Sequence, residues 1–275
     1  VTVALSGDGA DELLAGYRKH VALQAAMGGG FYPAAARLLA PLTSFFSQGR
    51  HGTFANKMRQ IKRFNDGLSL PKADRYWLWA SIYSQKQATS LLSAPLRDQL
   101  NKEQLAYRQQ VFTQNMNGAT DINEFLYADM QLVLPNDMLT KVDLMSMAHG
   151  LEVRVPFLDH EVVEYAFSLP AESKLKGSFR KRVLQDAFKD ILPADLYNRP
   201  KQGFEIPLKD WLKKELKSTI ENELLEPGWI KEQNIFNEEK VGQLKKQLFS
   251  NNVQDAPAQI WSLLVFQNWW GKYFG

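Results

Sequence analysis

Apolar positions recur along most of this chain at the three-and-four spacing of helices, and only its first residues read otherwise. Val1–Leu5 is a short apolar run that stops at a glycine-rich loop, the pattern of a buried strand. From Ala10 to about Met27, Leu13, Tyr17 and Val21, with Leu14 and Ala25, predict a helix that Gly28-Gly29-Gly30 ends. Pro33 suits the first turn of the next helix, and Ala34–Ala40 has high helix propensity. Phe54, Met58, Ile61 and Phe64 form one stripe, and Tyr76, Trp77, Ala80 and Tyr83 a second. Phe125, Leu126, Met130 and Val133 form a third, with Thr120 or Asp121 as its cap. Asn136 is placed to cap Met138–His149, and Gly150 to end it. Asp159 is placed to cap Glu161–Ser168, whose stripe is Val162, Val163, Ala166 and Phe167. Helices are also predicted over Phe179–Phe188, Leu208–Leu225, Glu238–Phe249 and Pro257–Phe274.

The pattern therefore predicts a mainly α chain with one N-terminal strand and many helices. That strand has no evident parallel partner downstream. A lone buried strand leaves both backbone edges unpaired, so its sheet neighbours are expected upstream of Val1. Val1–Leu5 and the loop after it are then expected to be held less firmly than the helices.

Composition adds mostly exclusions. Thirty-three basic against thirty acidic residues leave a net charge of +3, with no long Lys/Arg block, which argues against a nucleic-acid partner. No cysteine is present, so disulfides, thiolate zinc sites and a cysteine nucleophile are excluded within these 275 residues. That absence fits a reducing, cytoplasmic setting. No apolar run reaches the length of a membrane span, and Gln259, Gln267, Asn268 and Lys272 break the aromatic-rich Ile260–Tyr273, which reads as a core or interface helix.

Three runs carry candidate chemistry. In Ser6-Gly7-Asp8-Gly9-Ala10-Asp11-Glu12, the glycines let backbone N–H groups approach an anion, and the next helix adds its positive end. A carboxylate there repels phosphate unless a cation lies between, which suits Asp11 to Mg²⁺ and Asp8 to a base or polar contact. The same run also reads as a helix cap, with Asp8 or Asp11 capping and Glu12 favoured by the dipole. Second, Lys141, Asp143, Glu152 and Arg154 alternate with apolar residues between Leu134 and Asp159, which predicts that some of these charges are drawn inside. A structural ion-pair network explains them equally well. His149, before Gly150, reads more naturally as a helix-end group than as a catalyst. Third, Arg199-Pro200-Lys201-Gln202-Gly203-Phe204 sets two cations around a rigid turn, either a phosphate contact or a surface loop of mixed charge.

In this order and spacing, the runs resemble the C-terminal synthetase domain of glutamine-dependent asparagine synthetases. The resemblance rests on Ser6-Gly7-Asp8-Gly9-Ala10-Asp11-Glu12-Leu13-Leu14-Ala15-Gly16-Tyr17, on Met145 through Asp159, and on Arg199 through Phe204, and spans roughly residues 1–210. It implies the C-terminal portion of an α/β ATP-pyrophosphatase domain over residues 1–275. Residues 1–27 would supply the strand, glycine-rich loop and helix of the ATP site, and 28–275 a helical remainder. The implied reaction activates aspartate with MgATP to aspartyl-AMP, and ammonia, drawn from glutamine by another domain, then gives asparagine and AMP. The implied roles are Asp11 as Mg²⁺ ligand and Ser6, Gly7 and Gly9 as nucleotide contacts. Asp8 would be the proton acceptor and Lys201 would neutralise phosphate charge, with Glu152 and Arg154 near the acyl-adenylate, Arg154 on the substrate.

Position 8 is Asp where several family members have Glu and the related β-lactam synthetases have Tyr, which favours intermolecular amidation over ring closure. The family's Ser-Gly-Gly-x-Asp-Ser loop and the N-terminal cysteine of its glutaminase domain are not among these residues. The chain is therefore expected to be a C-terminal fragment that is inactive alone. Two other readings stay open: a related ATP-dependent amide-forming enzyme acting on another carboxylate, and a non-catalytic helical interaction module. The sequence also leaves the oligomeric state open, a homodimer included.

Overall fold

The computed structural model describes residues 1–29, 33–36, 38, 53–193, 195 and 206–274. The chain divides into two compact units. One comprises Val1–Arg37, Gly67–Ala80 and Gln104–Pro200; the other comprises Leu38–Asp66, Ser81–Glu103 and Lys201–Gly275. Both are mainly helical. Among the described residues, strands form only two small sheets, both in the first unit: β1 (Val3–Leu5) beside β2 (Glu152–Arg154), and β3 (Leu175–Lys176) beside β4 (Phe179–Arg180).

The N-terminal strand is not alone. It runs parallel to β2, with Val3 opposite Glu152, Ala4 opposite Val153 and Leu5 opposite Arg154. Glu152 N–H donates to the Thr2 carbonyl at 2.9 Å, and Ser6 N–H to the Arg154 carbonyl at 2.8 Å. The sequence reading missed this partner because Glu-Val-Arg has one apolar residue and sits between a helix end and a proline, so no strand period can develop over three residues. Gly150, in the left-handed region at φ 67°, ends the helix Thr140–Met147 as predicted and turns the chain into β2.

Two units mean two cores. In the first, Leu23, Tyr76, Met116, Ile122, Phe125, Leu126 and Leu175 pack together, and a second cluster forms around Leu13, Leu14 and Ala166 with Phe157, Val163 and Leu184. In the other, Leu212, Ile220, Leu225, Ile230, Val241, Leu248, Ile260 and Leu263 form one cluster. There the Gln233 and Gln267 amides bond each other reciprocally at 2.8 Å.

Several predicted helices are present but divided. Ala10 to Met27 is two helices, Ala10–Leu13 and Arg18–Gly28, separated where Ala15 takes a left-handed φ of 59°. Tertiary bonds hold that break: Lys181 N–H to the Leu14 carbonyl at 3.1 Å, and Arg180 Nη1 to the Gly16 carbonyl at 3.1 Å. Asn136 is not a cap. It lies within a wide π-type turn, Leu134–Leu139, and donates to the Leu132 carbonyl at 2.8 Å. Pro135 has no N–H to continue the regular ladder, which explains the widened turn. Phe179–Phe188 splits into β4 and the helix Arg182–Phe188, and Leu208–Leu225 into Leu208–Lys213 and a π turn at Thr219–Glu223. Tyr83 lies beyond the end of Lys72–Ala80. Glu238–Phe249 and the long C-terminal helix, Ala256–Tyr273, follow the pattern closely. Of the Pro33–Ala40 prediction, residues 33–36 and 38 are helical and the rest lies outside the described residues. Neither Thr120 nor Asp121 is the cap of Asn123–Gln131, which is Ile122; Asp121 sits one residue earlier and accepts from Asn123 N–H at 2.8 Å, whereas Asp159 is the predicted cap and accepts from Glu161 N–H at 2.9 Å.

In the parallel ladder, even-numbered residues of β1 face β2 and odd ones face away. Amide exchange should therefore alternate, slow at Ala4 and Ser6 and fast at Val3 and Leu5. Uniformly fast exchange from Val3 to Ser6, measured by NMR, would mean the pairing does not persist in solution.

Candidate functional site

The β1–β2 register decides what the glycine-rich loop meets. Past Leu5 the chain enters Ser6–Gly9, where the Ser6 hydroxyl bonds the Asp8 carboxylate and Asp8 N–H donates to Ser6 Oγ at 3.3 Å. Gly9 adopts φ 85° and packs against the Leu158 side chain so closely that a Cβ would overlap it. Leu158 arrives through the 3₁₀ turn Pro156–Leu158 that follows β2. The first two sequence motifs are thus in contact, and glycine is required at position 9 for both conformation and space.

The helix Ala10–Leu13 sets Asp11 and Glu12 in different surroundings. Asp11 is about a quarter exposed, and its carboxylate lies 3.1 Å from Lys181 Nζ. Gly16 makes this possible, since a Cβ there would overlap the Asp11 carboxylate and the Lys181 stem. Lys181 itself has φ 50°, held by its backbone bond to Leu14. It escaped the sequence reading, having been assigned to the interior of a helix. The nearest signal was the Arg180-Lys181-Arg182 basic triplet.

Glu12 turns inward. It is buried and accepts from the Tyr17 hydroxyl at 2.6 Å. Burial lifts its carboxyl above the usual carboxylate range, against the opposing bond from Tyr17. Tyr17 N–H approaches His20 Nδ1 at 3.3 Å, and His20 Nε2 lies 2.7 Å from Asp129 Oδ2. The same Asp129 carboxylate accepts from Lys19 Nζ and from the Tyr76 hydroxyl, each at 2.6 Å. Burial pushes Asp129 up, but the bonds from His20 and Lys19 outweigh it and hold the group below its usual range. Burial likewise keeps His20 neutral. The geometry agrees: Nδ1 accepts from Tyr17, so the ring proton is on Nε2, facing Asp129. Sequence reading missed this network because its members are scattered across four helices.

Other predicted charges are not drawn inside. Lys141, Asp143, Glu152 and Arg154 are all exposed. The side chains of β2 alternate, so Glu152 and Arg154 share the outer face with Val3 and Leu5 while Val153 turns inward. Arg154 Nε donates to Glu152 Oε1 at 2.7 Å. Lys201 and the whole run Arg199–Phe204 lie outside the described residues. No group of three or more His, Asp or Glu side chains that could hold a metal is found among the described residues. A single carboxylate still fits Mg²⁺, which takes one or two carboxylates and completes its shell with phosphate oxygens and water. Asp11, accessible and close to a cation that can yield to a metal, has that character.

Comparison with known proteins agrees with the motif reading. A family model described as asparagine synthase matches residues 1–271. Glutamine-hydrolyzing asparagine synthetase 1 of Bacillus subtilis (strain 168) is 31% identical over 273 residues, covering 98% of this chain and 40% of that protein. A putative glutamine-hydrolyzing asparagine synthetase of Mycobacterium tuberculosis (strain ATCC 25618 / H37Rv) is 28% identical over 274 residues, 98% of this chain and 39% of its own length. The Gallus gallus asparagine synthetase is 45% identical over 67 residues, 23% of this chain and 12% of its own. The chain thus spans about 40% of the first of these relatives. No solved structure matches significantly.

Neutral burial of His20 has a sign in pH. Its folded pKa is below the ordinary 6.5, so under pH 6.5 the unfolded chain binds a proton that the folded chain refuses. The His20 contribution to stability should fall as pH drops from 6.5, by up to about 1.4 kcal/mol per pH unit, and that of Asp129 is lost as it is forced to protonate. Urea unfolding at pH 7.5, 6 and 5 tests this (buffers spanning the ordinary histidine range). Buried Glu12, its pKa raised, works in the opposite sense on the acid side, so the comparison is with the variant: His20→Gln should lose less stability between pH 7.5 and 5 than the wild type, and parallel curves would overturn the assignment.

Proposed function

The chain belongs to the asparagine synthase family, and from that premise we propose that it supplies the synthetase half of an ATP-dependent amide-forming ligase converting aspartate to asparagine. The observation that carries the reading is the β1–β2 pairing, which sets the Ser6–Glu12 loop beside Glu152–Arg154 at the carboxyl end of a parallel strand. Ligands of open α/β sheets bind at that edge, which supports an ATP-pyrophosphatase fold. Residues 1–275 act in this reading as one synthetase domain, with residues 1–27 providing the phosphate-facing end.

In the first step, an oxygen of the aspartate side-chain carboxylate attacks the α-phosphorus of ATP, and pyrophosphate leaves with the electron pair of the broken P–O bond. Ser6, Gly7 and Gly9 line the approach to the phosphates, with Gly7 open to close contact. Bound Mg²⁺ would neutralise the departing pyrophosphate, and Asp11 would be its protein ligand. Lys181, 3.1 Å from the Asp11 carboxylate, would then turn its charge toward phosphate oxygen. Lys201 would act on the same charge, as the resemblance implies. Arg154 would hold a carboxylate of aspartate, with Glu152 orienting its guanidinium.

In the second step, ammonia attacks the acyl carbon of aspartyl-AMP, AMP leaves with the electron pair of the C–O bond, and a proton of the attacking nitrogen passes to Asp8. Ammonia comes from glutamine outside these residues, since a cysteine nucleophile is lacking here. Without a Ser-Gly-Gly-x-Asp-Ser loop, residues 1–275 alone should not turn over. Within the described residues no helix is long and apolar enough to cross a membrane.

Calorimetric titration of MgATP and of magnesium pyrophosphate into the chain tests the phosphate assignment. Expected is binding that Asp11→Asn weakens about tenfold or more, through loss of one charged ligand. Equal affinity in both proteins would remove Asp11 from the phosphate site.

A further inference from the structure

Asp11 and Glu12 are consecutive carboxylates on a helix of four residues, Ala10–Leu13. A single helical turn does not hold itself in water, so its setting is fixed from outside. Gly16 N–H donates to the Asp11 carbonyl at 2.8 Å. The Tyr17 hydroxyl donates to Glu12 Oε1 at 2.6 Å, and Glu12 is 1% exposed. One side chain of the pair is thus tied inward while the other faces out.

Tyr17 is itself held by two neighbours. Its N–H donates to His20 Nδ1 at 3.3 Å, and its ring centroid lies 5.4 Å from that of His20. Lys19 Nζ stands 5.5 Å from the Tyr17 ring centroid. His20 and Lys19 both end on the buried Asp129 carboxylate. Asp129 belongs to the helix Asn123–Gln131, which also carries Phe125 and Leu126 into the core. The hydroxyl that holds Glu12 is therefore anchored to the interior and not to the loop beside it.

The consequence is one of charge. Asp11 has Lys181 at 3.1 Å, and Arg180, whose guanidinium donates to the Gly16 carbonyl, also feels the Asp11 charge. One carboxylate facing two cations leaves a positive surplus, which suits phosphate. Two carboxylates would cancel that surplus and suit a bare metal ion. We infer that Tyr17 is a positioning residue that withholds Glu12 from the metal site. Asp11 alone then meets the ion, and the site takes its divalent cation with phosphate rather than by itself. The inference rests on Asp11 as the metal ligand, the reading proposed above.

The test compares two probes on the whole chain: Mn²⁺ alone, with the free ion counted by EPR, and magnesium pyrophosphate, titrated by calorimetry. Both are run at about pH 7.5, where a solvent-exposed carboxyl is ionised. Tyr17→Phe keeps the ring and removes the donor. Glu12 should then leave the interior, because a buried carboxylate without a donor is costly. A unit charge added about 6 Å from the ion tightens Mn²⁺ binding about threefold or more, even when screened as in water. Magnesium pyrophosphate should bind more weakly by a similar factor, whereas mere structural loosening would weaken both. Adding Glu12→Gln to Tyr17→Phe should restore the wild-type Mn²⁺ affinity, since the freed side chain then carries no charge. Glu12→Gln alone still accepts from Tyr17 and should bind pyrophosphate as the wild type does. Unchanged or weaker Mn²⁺ binding in Tyr17→Phe, a gain that outlives Glu12→Gln, or weaker pyrophosphate binding in Glu12→Gln alone would overturn the inference. Asp11→Asn separates it from its premise. If that variant weakens pyrophosphate binding while Tyr17→Phe alters neither probe, only the withholding of Glu12 fails. If Asp11→Asn changes nothing, the metal-ligand reading fails and the inference with it.

Discussion

Everything in the candidate site hangs on one short piece of parallel pairing. Thr2 and Ser6 bracket β1, and their backbone bonds to Glu152 and Arg154 join segments nearly the whole first unit apart in sequence. This register starts the glycine-rich loop at Ser6 and lands Leu158 on Gly9. A slip by one residue would turn Ala4 outward and bring Val3 and Leu5 to the inner face, while moving Gly9 off Leu158. The glycines allow the close approach, but the ladder determines what they approach.

Behind the loop, the first unit separates its charges by depth. Asp129 is fully buried and takes three donors from Lys19, His20 and Tyr76, so its charge is compensated where water cannot reach it. Glu12, one residue from Asp11, is buried under a single tyrosine hydroxyl and is pushed toward its neutral form. Asp11 stays accessible and ionic beside Lys181. Two adjacent carboxylates are thereby given opposite tasks by their surroundings, one anchoring the loop to the interior and the other facing solvent. The Ala15–Gly16 break is the device that allows it, because a continuous helix would carry Tyr17 away from Glu12 and fill the space of the Asp11–Lys181 pair.

Exposed charge tells a different story on β2. The alternation of charged and apolar residues from Glu152 to Val155 reads in sequence as charge drawn inward, yet in a strand that same alternation means one face in and one face out. Glu152 and Arg154 pair on the outer face, beside the apolar Val3 and Leu5.

The sequence by itself determined the helical character, because apolar spacing is a local property that survives in isolation. The stretch Glu238–Phe249, the Asp159 cap and the Gly150 stop were all legible for that reason. It also determined the family, since the order of three motifs does not depend on knowing where they sit in space. Tertiary structure alone decided the rest. It paired β1 with a three-residue strand too short to show a period, broke the first helix at Ala15, and gathered Lys181 to Asp11 and His20 to Asp129. None of these has a local signature: each is stabilised by a partner distant along the chain, and only packing reveals which distant residues become neighbours.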